Sequence, residues 1–582
     1  MATRLTAYIV SSIVILTLIA GLIVRAQRDD EGPIDLMVVN GRVFTADGSG
    51  GLAEAVAVQG NRIVRVGTTR DVLRLRRPQT EVIDAGGHAV VPGFNDAHLH
   101  FMSGGLGLTQ INLLDARTVE EIEAAVRAWA AAYPDAEWVR GRGWYYQSFA
   151  GGLPTRQLLD AVVPDRPAYL TAYDGHTGWA NSLALARAGI TRSTPNPPNG
   201  IIEKDPRTGE PTGVLKETAM GLVARVLPPT SRDERLDAIR SAVQEAHRLG
   251  VTSVQNASGS AEEFALYEEL RDAGELAVRV YSAISVGPDV ADEDFVRFVE
   301  IRDEYADDPV FKTGAIKLML DGVIEGHTGA MLAPYANRPD TAGEARFSQA
   351  RLNEVVAELD RRGWQLMIHA IGDGAVRMAL DAFAHAAKEN PAPERGRRHR
   401  IEHLETIDPA DIARFAELDV IASYQPYHGV PTPGGGDVWS ENIGPERAAR
   451  GWIFASLHEA GVRLLFGSDW PVVSMDPRLG LHVAVNRTTL DGEPDGGLPP
   501  EERLDLATAL EAYTRTGAWA SFDEQRKGQI APDMLADMVI LSRDIFGAAP
   551  TALLEAEVDV TIFDGRVVYR RTPAPARPTV TN

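Results

Sequence analysis

Eight short apolar segments run through the middle of the chain, and they limit its fold more than any other feature. They are Val90–His98, Val251–Gln255, Val278–Ile284, Gly314–Leu320, Gln365–His369, His399–His403, Val420–Tyr424 and Arg463–Gly467. Helical patterns lie between most of them, for example over Val119–Ala132, Asp233–Leu249, Asn353–Arg362 and Ala375–Lys388. Eight alternations of strand and helix are typical of a (β/α)8 barrel. We therefore predict an α/β fold with a TIM-like barrel over residues 92–525.

The segment of sequence between the first two candidate strands is too long to form a single helix. We predict that residues of about 138–225 form an insertion in the first strand-to-helix connection. Both ends of the chain carry short strands with turn signals instead, namely Asn40-Gly41, Gly60-Asn61 and Asp564-Gly565. Such dipeptides favour tight hairpins because they accept positive φ angles. Residues 34–91 and 526–571 are predicted to form one composite β-sandwich domain, and the barrel is inserted between these two segments of the sequence.

The first residues have a different composition from the rest. Leu5–Val24 is a run of 20 residues without a charge, long enough as a helix to cross a bilayer core of about 30 Å. Residues 1–28 are therefore predicted to be either an uncleaved transmembrane anchor or a cleaved signal peptide. A buried core helix is the alternative. In the first two cases the rest of the chain is membrane-anchored or secreted and faces the extracytoplasmic side.

Charge and cysteine content exclude several classes of function. The 582-residue chain carries a net charge of −23, which repels phosphate backbones, so we expect no nucleic-acid partner. It has no cysteine, which rules out disulfides, thiolate metal sites and a cysteine nucleophile. Any metal site must therefore use nitrogen and oxygen ligands.

The segment PGFNDAHLH (92–100) carries the strongest chemical signal. His98 and His100 are two residues apart, so on a strand both side chains point to the same side. Placed at a barrel mouth, they can bind one metal ion. Either histidine alone is as easily explained by a structural role.

Three further polar residues interrupt apolar strands at their C-terminal ends. His369 ends Gln365–Ile368, His403 ends Arg400–Glu402, and Asp469 follows another strand. In a barrel this end carries the active site. Taken singly, each could be a core or capping residue. Four histidines and one aspartate that converge from four strands are harder to explain by packing, so the set predicts a metal centre.

Lys317 lies within the predicted strand Gly314–Leu320. A lysine that points into a barrel without a counter-charge is costly. Carbamylation by CO₂ would convert it into an anion with two oxygens that can bridge two cations. The alternative is an ion pair with Asp321, which lies on the same side of the strand.

The chain resembles the amidohydrolase superfamily. Within it, the chain looks like the YtcJ-like branch (amidohydrolase family 3), which includes N-substituted formamide deformylases. The resemblance covers about residues 34–570 and is carried by VVPGFNDAHLH, DGHTGWANSLAL, GAIKLMLDG, LMIHAIGDGAV, RHRIEHLE, SYQPYH and LLFGSDWPV. It implies a barrel with an accompanying β-sandwich and a metal-dependent hydrolase of C–N bonds.

The resemblance also implies roles for the polar residues at the strand ends. His98 and His100 would hold a first Zn²⁺ with Asp469, and His369 and His403 a second. Lys317, as its carbamate, would bridge the two ions. In such hydrolases a metal-activated hydroxide attacks the carbonyl carbon. Asp469 would then take up the proton and deliver it to the leaving nitrogen.

Three more histidines are candidates for contact with substrate. His176 lies on the insertion between glycines, where it could also cap its own loop, and the resemblance favours a catalytic or substrate-binding role. His428 follows the seventh strand, and His327 follows the Lys317 strand within Gly326–Gly329, where relatives often differ. Each of these two is either a substrate contact or a structural residue.

The function predicted from the sequence is hydrolysis of a non-peptide C–N bond in a small-molecule amide or formamide. One alternative is a hydrolase of esters, lactones or phosphoesters at the same metal centre. Another is a non-catalytic, membrane-tethered binding protein. The complete set of ligand positions argues against the last, because Asp469 has no evident purpose in a protein that only binds.

Overall fold

Eight parallel strands form the centre of the computed structural model, which describes residues 33–48, 50–305, 307–430 and 437–572. They are β1 (Phe94–Leu99), β2 (Val251–Gly259), β3 (Arg279–Val286), β4 (Phe311–Met319), β5 (Gln365–Ala370), β6 (Arg400–His403), β7 (Ile421–Tyr424) and β8 (Leu464–Phe466). Each strand pairs with the next one along the chain. Just beyond β8, Asp469 N donates to His98 O at 2.6 Å and His100 N donates to Trp470 O at 2.7 Å. These bonds bring the first and last strands together, so the predicted α/β barrel fold is confirmed.

The first predicted strand, Val90–His98, is two strands in the structure. Ala89–Pro92 pairs with Met538–Leu541 in another sheet, and β1 begins at Phe94. The break falls at Gly93, where a Cβ atom would lie 2.1 Å from Thr252 Oγ1. Because only glycine allows this approach, the chain can pass directly from one sheet into the barrel.

Helices surround the barrel and fill its connections. In chain order they span Thr69–Leu73, Phe101–Gly107, Val119–Ala132, Arg156–Val162, Ser182–Arg187, Gly221–Ala224, Arg232–Arg248, Ala261–Asp272, Asp292–Glu304, Gln349–Arg361, Asp373–Glu389, Ile412–Glu417, Val438–Ile443, Pro445–Ala448, Phe454–Glu459, Pro477–Asn486, Leu506–Ala512 and Arg515–Ala520. Thr118 and Ser231 begin two of the longer ones with a capping box, in which the third residue of the helix is glutamate.

Alternation along β4 decides which of its residues face the barrel interior. Ile316 and Leu318 belong to the large apolar core that the outer helices share. Ala315 belongs to a small separate cluster formed with residues of β3 and β5. Since neighbouring residues of a strand point to opposite sides, Lys317 lies on the same side as Ala315 and points inward.

A separate six-stranded sheet lies in the long connection between β1 and β2. Its strands, in spatial order, are Gly200–Lys204, Pro211–Glu217, Thr177–Ala180, Ala168–Ala172, Val139–Trp144 and Ile111–Asn112. The sheet thus starts before residue 138, the predicted beginning of the insertion.

Two further sheets are built from the ends of the chain. The strands of one are Arg566–Arg570, Val558–Phe563, Met538–Leu541, Ala89–Pro92, Arg42–Phe44 and Leu52–Ala53, in spatial order. Those of the other are Arg62–Gly67, Ala55–Gln59, Leu36–Val39 and Glu81–Asp84. Buried residues from both sheets share one apolar core, which includes Val38, Val56, Val90, Ile540 and Ile562.

Two of the three predicted hairpins form, at Gly60-Asn61 and at Asp564-Gly565. The hairpin predicted at Asn40-Gly41 was wrong. Asn40 does take a positive φ of 53°, but the strands on its two sides belong to different sheets. A Cβ at residue 41 would lie 2.7 Å from Val90 Cγ2, so glycine allows the chain to cross here between the two packed sheets.

Among the described residues, no helix combines the length and apolarity needed to cross a membrane. The anchor or signal predicted for residues 1–28 lies outside the described residues.

Candidate active site

The six residues predicted to bind metal meet at the C-terminal end of the barrel. Five of them line a cavity of about 600 Å³: His100, Lys317, His369, His403 and Asp469. His98 lies behind them and is fully buried. Residues of the insertion and of the segments that follow several barrel strands, among them β4, β6 and β7, form the remaining walls of the cavity.

Asp469 lies between three of the histidines. Its Oδ1 is 3.1 Å from His100 Nε2 and 3.5 Å from His98 Nε2, and its Oδ2 is 3.9 Å from His403 Nδ1. Lys317 Nζ lies 3.3 Å from His98 Nε2. The ring of His403 lies against that of His369, with centroids 4.5 Å apart. The structure therefore brings all six predicted residues together.

Two of these residues reach the cavity through an uncommon backbone conformation. Asp469 has a φ of 60° and His403 a φ of 78°, both in the region where residues other than glycine are rare. The Asp469 turn is fixed by its neighbour Ser468, whose N–H donates to the buried carboxylate of Asp96 at 2.9 Å. Such conformations cost energy and concentrate at functional sites.

Each of three histidines is oriented through its Nδ1. His98 Nδ1 lies 2.6 Å from Glu402 Oε2, and His369 Nδ1 lies 3.0 Å from Asp321 Oδ1. His100 Nδ1 lies 2.5 Å from Ser258 Oγ. A carboxylate that accepts from Nδ1 fixes the ring and leaves Nε2 free to bind a metal.

The ion pair considered for Lys317 and Asp321 is absent from the described residues. Besides His369, Asp321 accepts hydrogen bonds from the backbone N–H groups of Ala330, Ile371 and Gly372. These contacts direct its carboxylate towards His369 and not towards Lys317.

Burial sets the charge of this cluster. It lowers the pKa of His98 to about 4, and burial together with the charges of neighbouring basic groups lowers the pKa values of His369 and His403 well below the usual value. Burial alone would raise the pKa of Asp469, but the hydrogen bond from His100 keeps it well below its usual range. Neutral imidazoles beside an ionised carboxylate are the protonation states that metal binding requires.

These residues fit a divalent cation. Ligand atoms of His98, His403 and Asp469 lie within 4.8 Å of one another, and all three side chains are buried. Nitrogen and carboxylate oxygen are ligands that Zn²⁺ and similar ions accept.

Two of the three histidines predicted to contact substrate line the cavity. His176 Nδ1 lies 3.0 Å from Glu217 Oε2, and its ring centroid is 5.4 Å from that of His369. His428 is stacked on His403 at 6.3 Å, and its buried Nε2 has no hydrogen-bond partner among the described residues. His327 lines a second cavity of about 290 Å³ instead, where its Nε2 lies 3.0 Å from Asn337 Oδ1.

Six charged residues of the cavity wall were not predicted from the sequence: Arg142, Asp174, Glu217, Glu325, Arg346 and Glu405. Glu217 accepts from Arg346 Nη2 at 2.6 Å and from His176. Glu325 accepts from Tyr173 Oη at 2.5 Å, and Glu405 accepts from Trp439 Nε1 at 2.7 Å. A charged residue between two glycines, as in Gly141-Arg142-Gly143, is the signal that could have pointed to Arg142.

A family model described as the amidohydrolase family matches residues 81–569 of this chain. The chain belongs to the amidohydrolase family. The resemblance predicted from its motifs is therefore confirmed, and the histidines and aspartate described above are the polar centre of an amidohydrolase barrel.

Several related proteins match nearly the whole length of the chain. Protein LONG AFTER FAR-RED 3 of Arabidopsis thaliana is 32% identical over 92% of this chain and 91% of its own length. The N-substituted formamide deformylase of Arthrobacter pascens is 28% identical over 92% of this chain and 99% of its own. The crystal structure of a metal-dependent hydrolase from Pyrococcus furiosus has a TM-score of 0.65 at 26% identity and covers 86% of this chain and 97% of that one.

Proposed function

We propose that this amidohydrolase uses a divalent metal centre to hydrolyse a non-peptide C–N bond of an amide or formamide. The observation that carries the proposal is the position of Asp469, whose carboxylate lies within 4 Å of three histidine rings at the edge of the cavity. The similarity to a formamide deformylase over almost the full length of both chains supports the choice of bond.

The resemblance to amidohydrolases assigns the residues that would hold the metal. His98, His100 and Asp469 would hold one Zn²⁺, and His369 and His403 a second. When bound, such ions polarise a carbonyl oxygen and lower the pKa of water to about 7.

We also propose that Lys317 carries a carbamate. Its Nζ is buried inside the barrel, with His98 Nε2 as the hydrogen-bonding neighbour among the described residues. Burial lowers the pKa of Lys317 to about 8, which increases the fraction of neutral amine. A neutral amine adds to CO₂ and releases one proton, and the resulting carbamate would place an anion with two oxygens where a buried ammonium would otherwise lie.

The protein's own groups would then handle the proton and the substrate. Asp469, ionised and buried beside His100, is placed to accept a proton from water and to return it to the leaving nitrogen. His428 lines the same cavity and has a buried ring nitrogen without a partner among the described residues, which makes it a candidate for a substrate contact.

Metal analysis and substitution of Asp469 test the proposal. The purified protein should contain up to two divalent ions and should lose activity on N-formyl and N-acyl amines when a chelator removes them. Asp469→Asn should keep the fold and much of the metal. It should also lower kcat by roughly 100-fold or more, since the general base is lost.

Asp491→Asn, an exposed aspartate outside the cavity, is the matched control and should keep full activity. Full activity of a metal-free preparation would contradict the proposal. Faster turnover of the matching esters or phosphoesters than of amides would assign the centre to the alternative chemistry.

A further inference from the structure

Arg142 presents a guanidinium to the active-site cavity without a carboxylate partner. It lies on the insertion strand Val139–Trp144 and lines the same cavity as His100 and Asp469. Its Nη2 donates to the backbone carbonyl of Tyr173 at 2.9 Å. Among the described residues, no carboxylate oxygen lies within ion-pairing distance of it. In contrast, Arg346 on the cavity wall is held by Glu217 at 2.6 Å.

An arginine in this position is costly unless something else neutralises it. Burial lowers the pKa of Arg142 to about 10, and the charges of Asp469 and Asp174 act on it only from beyond ion-pairing distance. The group is still protonated at neutral pH. A half-buried guanidinium on a cavity wall, with no carboxylate partner among the described residues, is placed to bind an anionic group of a ligand.

We propose that Arg142 binds a carboxylate of the substrate, so that this enzyme acts on N-acyl compounds that carry an acidic group, such as N-acyl amino acids. The inference rests on the proposed C–N hydrolysis. Nη2 has a second N–H besides the one that Tyr173 accepts, and together with Nη1 or Nε it forms a planar fork of donors that matches a carboxylate in both geometry and charge. The backbone bond to Tyr173 fixes the fork beside the proposed metal centre.

The acidic residues of the cavity wall outside the proposed metal centre do not oppose this assignment, and burial raises the pKa of one of them, Asp174, above its usual value. Glu217 is neutralised by Arg346 and His176. Burial raises the pKa of Glu325 to about 7 and that of Glu405 well above its usual value, so both hold protons more readily than exposed glutamates. Each also accepts a hydrogen bond from a neighbouring aromatic side chain. A cationic substrate recognised by these two glutamates is the competing possibility.

Matched ligands separate the two possibilities. The N-acetyl derivatives of glycine, alanine, leucine and phenylalanine are compared as free acids, as neutral carboxamides and as analogues in which an aminomethyl group replaces the carboxylate. Binding is measured by calorimetry on metal-loaded Asp469→Asn, and turnover on the metal-loaded wild type. At least one acid should bind roughly tenfold or more tightly than its carboxamide, as expected for a charge-assisted bidentate contact.

Arg142→Met should abolish this preference by raising KM for the acid, with kcat/KM for the neutral carboxamide nearly unchanged. Arg142→Lys should keep part of the preference. The control is Arg140→Met, on the same face of the strand but outside the cavity, and it should behave as the wild type. The acid-to-carboxamide ratio of the wild type tests the proposal even if the Arg142 variants do not fold.

The outcomes separate this inference from the proposed function. Hydrolysis without a preference for any acid, an equal loss for acid and carboxamide in Arg142→Met, or tighter binding of the cationic analogues would overturn the role of Arg142 alone. Selective, Arg142-dependent binding of an acid without cleavage of any C–N bond would uphold that role and reject the proposed function.

Discussion

At the scale of single residues, the site depends on side chains that are held by partners outside the metal centre. Glu402 holds His98, Asp321 holds His369 and Ser258 holds His100. Each contact uses Nδ1 and leaves Nε2 facing inward. Because ring orientation is fixed before a metal arrives, the site is preorganised, and little conformational entropy is lost when an ion binds.

Lys317 provides a prediction with a chemical rescue. Lys317→Ala should lose the second metal ion and most of the activity, because no anion is left between the two ion positions. Added acetate or propionate should restore part of both by occupying the space of the carbamate. Mass spectrometry, metal content and kcat measure the result. A metal-loaded crystal with a plain ammonium at Lys317 would contradict the carbamate.

His176 provides a prediction about substrate contact. It lies on the insertion and is held by Glu217, outside the proposed ligand set. His176→Ala should therefore change kcat and KM while leaving the metal content as in the wild type. Loss of metal on this substitution would show that His176 belongs to the metal centre. His385→Ala, a histidine outside the cavity, is the control.

The residues found from the sequence and those missed differ in one physical respect. His98, His100, His369, His403 and Asp469 interrupt apolar strands, so each is visible within its own few residues. Arg142 and Glu217 lie on the insertion sheet. They line the same cavity as Arg346 and Asp469, which are more than 90 positions away from them in the sequence. Local sequence does not encode such contacts, because they depend on how the insertion packs on the barrel.

At the scale of strands and helices, the positions of the barrel strands could be predicted from the sequence more accurately than the connections between strands. Each of the eight predicted strands overlaps a barrel strand. The first was joined wrongly to Ala89–Pro92, and a crossing at Asn40-Gly41 was taken for a hairpin. Both errors fall where a glycine passes close to another segment, and the atom it would meet, on Thr252 or Val90, is distant in sequence.

One buried ion pair joins a barrel strand to the sheet formed by the chain ends. Arg279 on β3 donates to both oxygens of Asp537, at 2.6 and 2.9 Å, and to Asp564 at 2.8 Å. Arg279→Met leaves two carboxylates without their cation. It should lower the free energy of unfolding by about 3–5 kcal/mol, since one partner of a buried pair is lost.

Thermal unfolding followed by circular dichroism measures the effect. The control is Arg240→Met, a partly exposed arginine whose partners are Asp237 and Glu275, and the unfolding temperature of this variant should change little. An unchanged unfolding temperature for Arg279→Met would show that the barrel and the terminal sheet do not depend on this contact.

At the scale of the whole molecule, the two ends of the chain depend on each other. Met538–Leu541 lies between Ala89–Pro92 and Val558–Phe563 and pairs with both. Ala89–Pro92 runs directly into β1, which carries His98. The C-terminal strands therefore support the segment that presents the first two proposed metal ligands.

Shortening the chain tests this dependence. A chain that stops after residue 557 lacks the hairpin of Val558–Phe563 and Arg566–Arg570 and exposes one edge of Met538–Leu541. We expect a lower unfolding temperature and a reduced metal content, measured on the purified protein. A chain that stops after residue 572 keeps every described strand and is the control. Equal metal content and equal unfolding temperature in the two chains would refute the dependence.

The pairing of Ala89–Pro92 with Met538–Leu541 also joins two strands that are synthesised at different times. A ribosome adds roughly 5–20 residues per second, so on the order of a minute passes between the synthesis of these two strands. Throughout that interval, the backbone N–H and C=O groups of Ala89–Pro92 that later bind Met538–Leu541 have no partner. Such an unpaired edge can also pair with a strand of another chain. The sheet that supports β1 is therefore completed only after residues up to 541 have been synthesised.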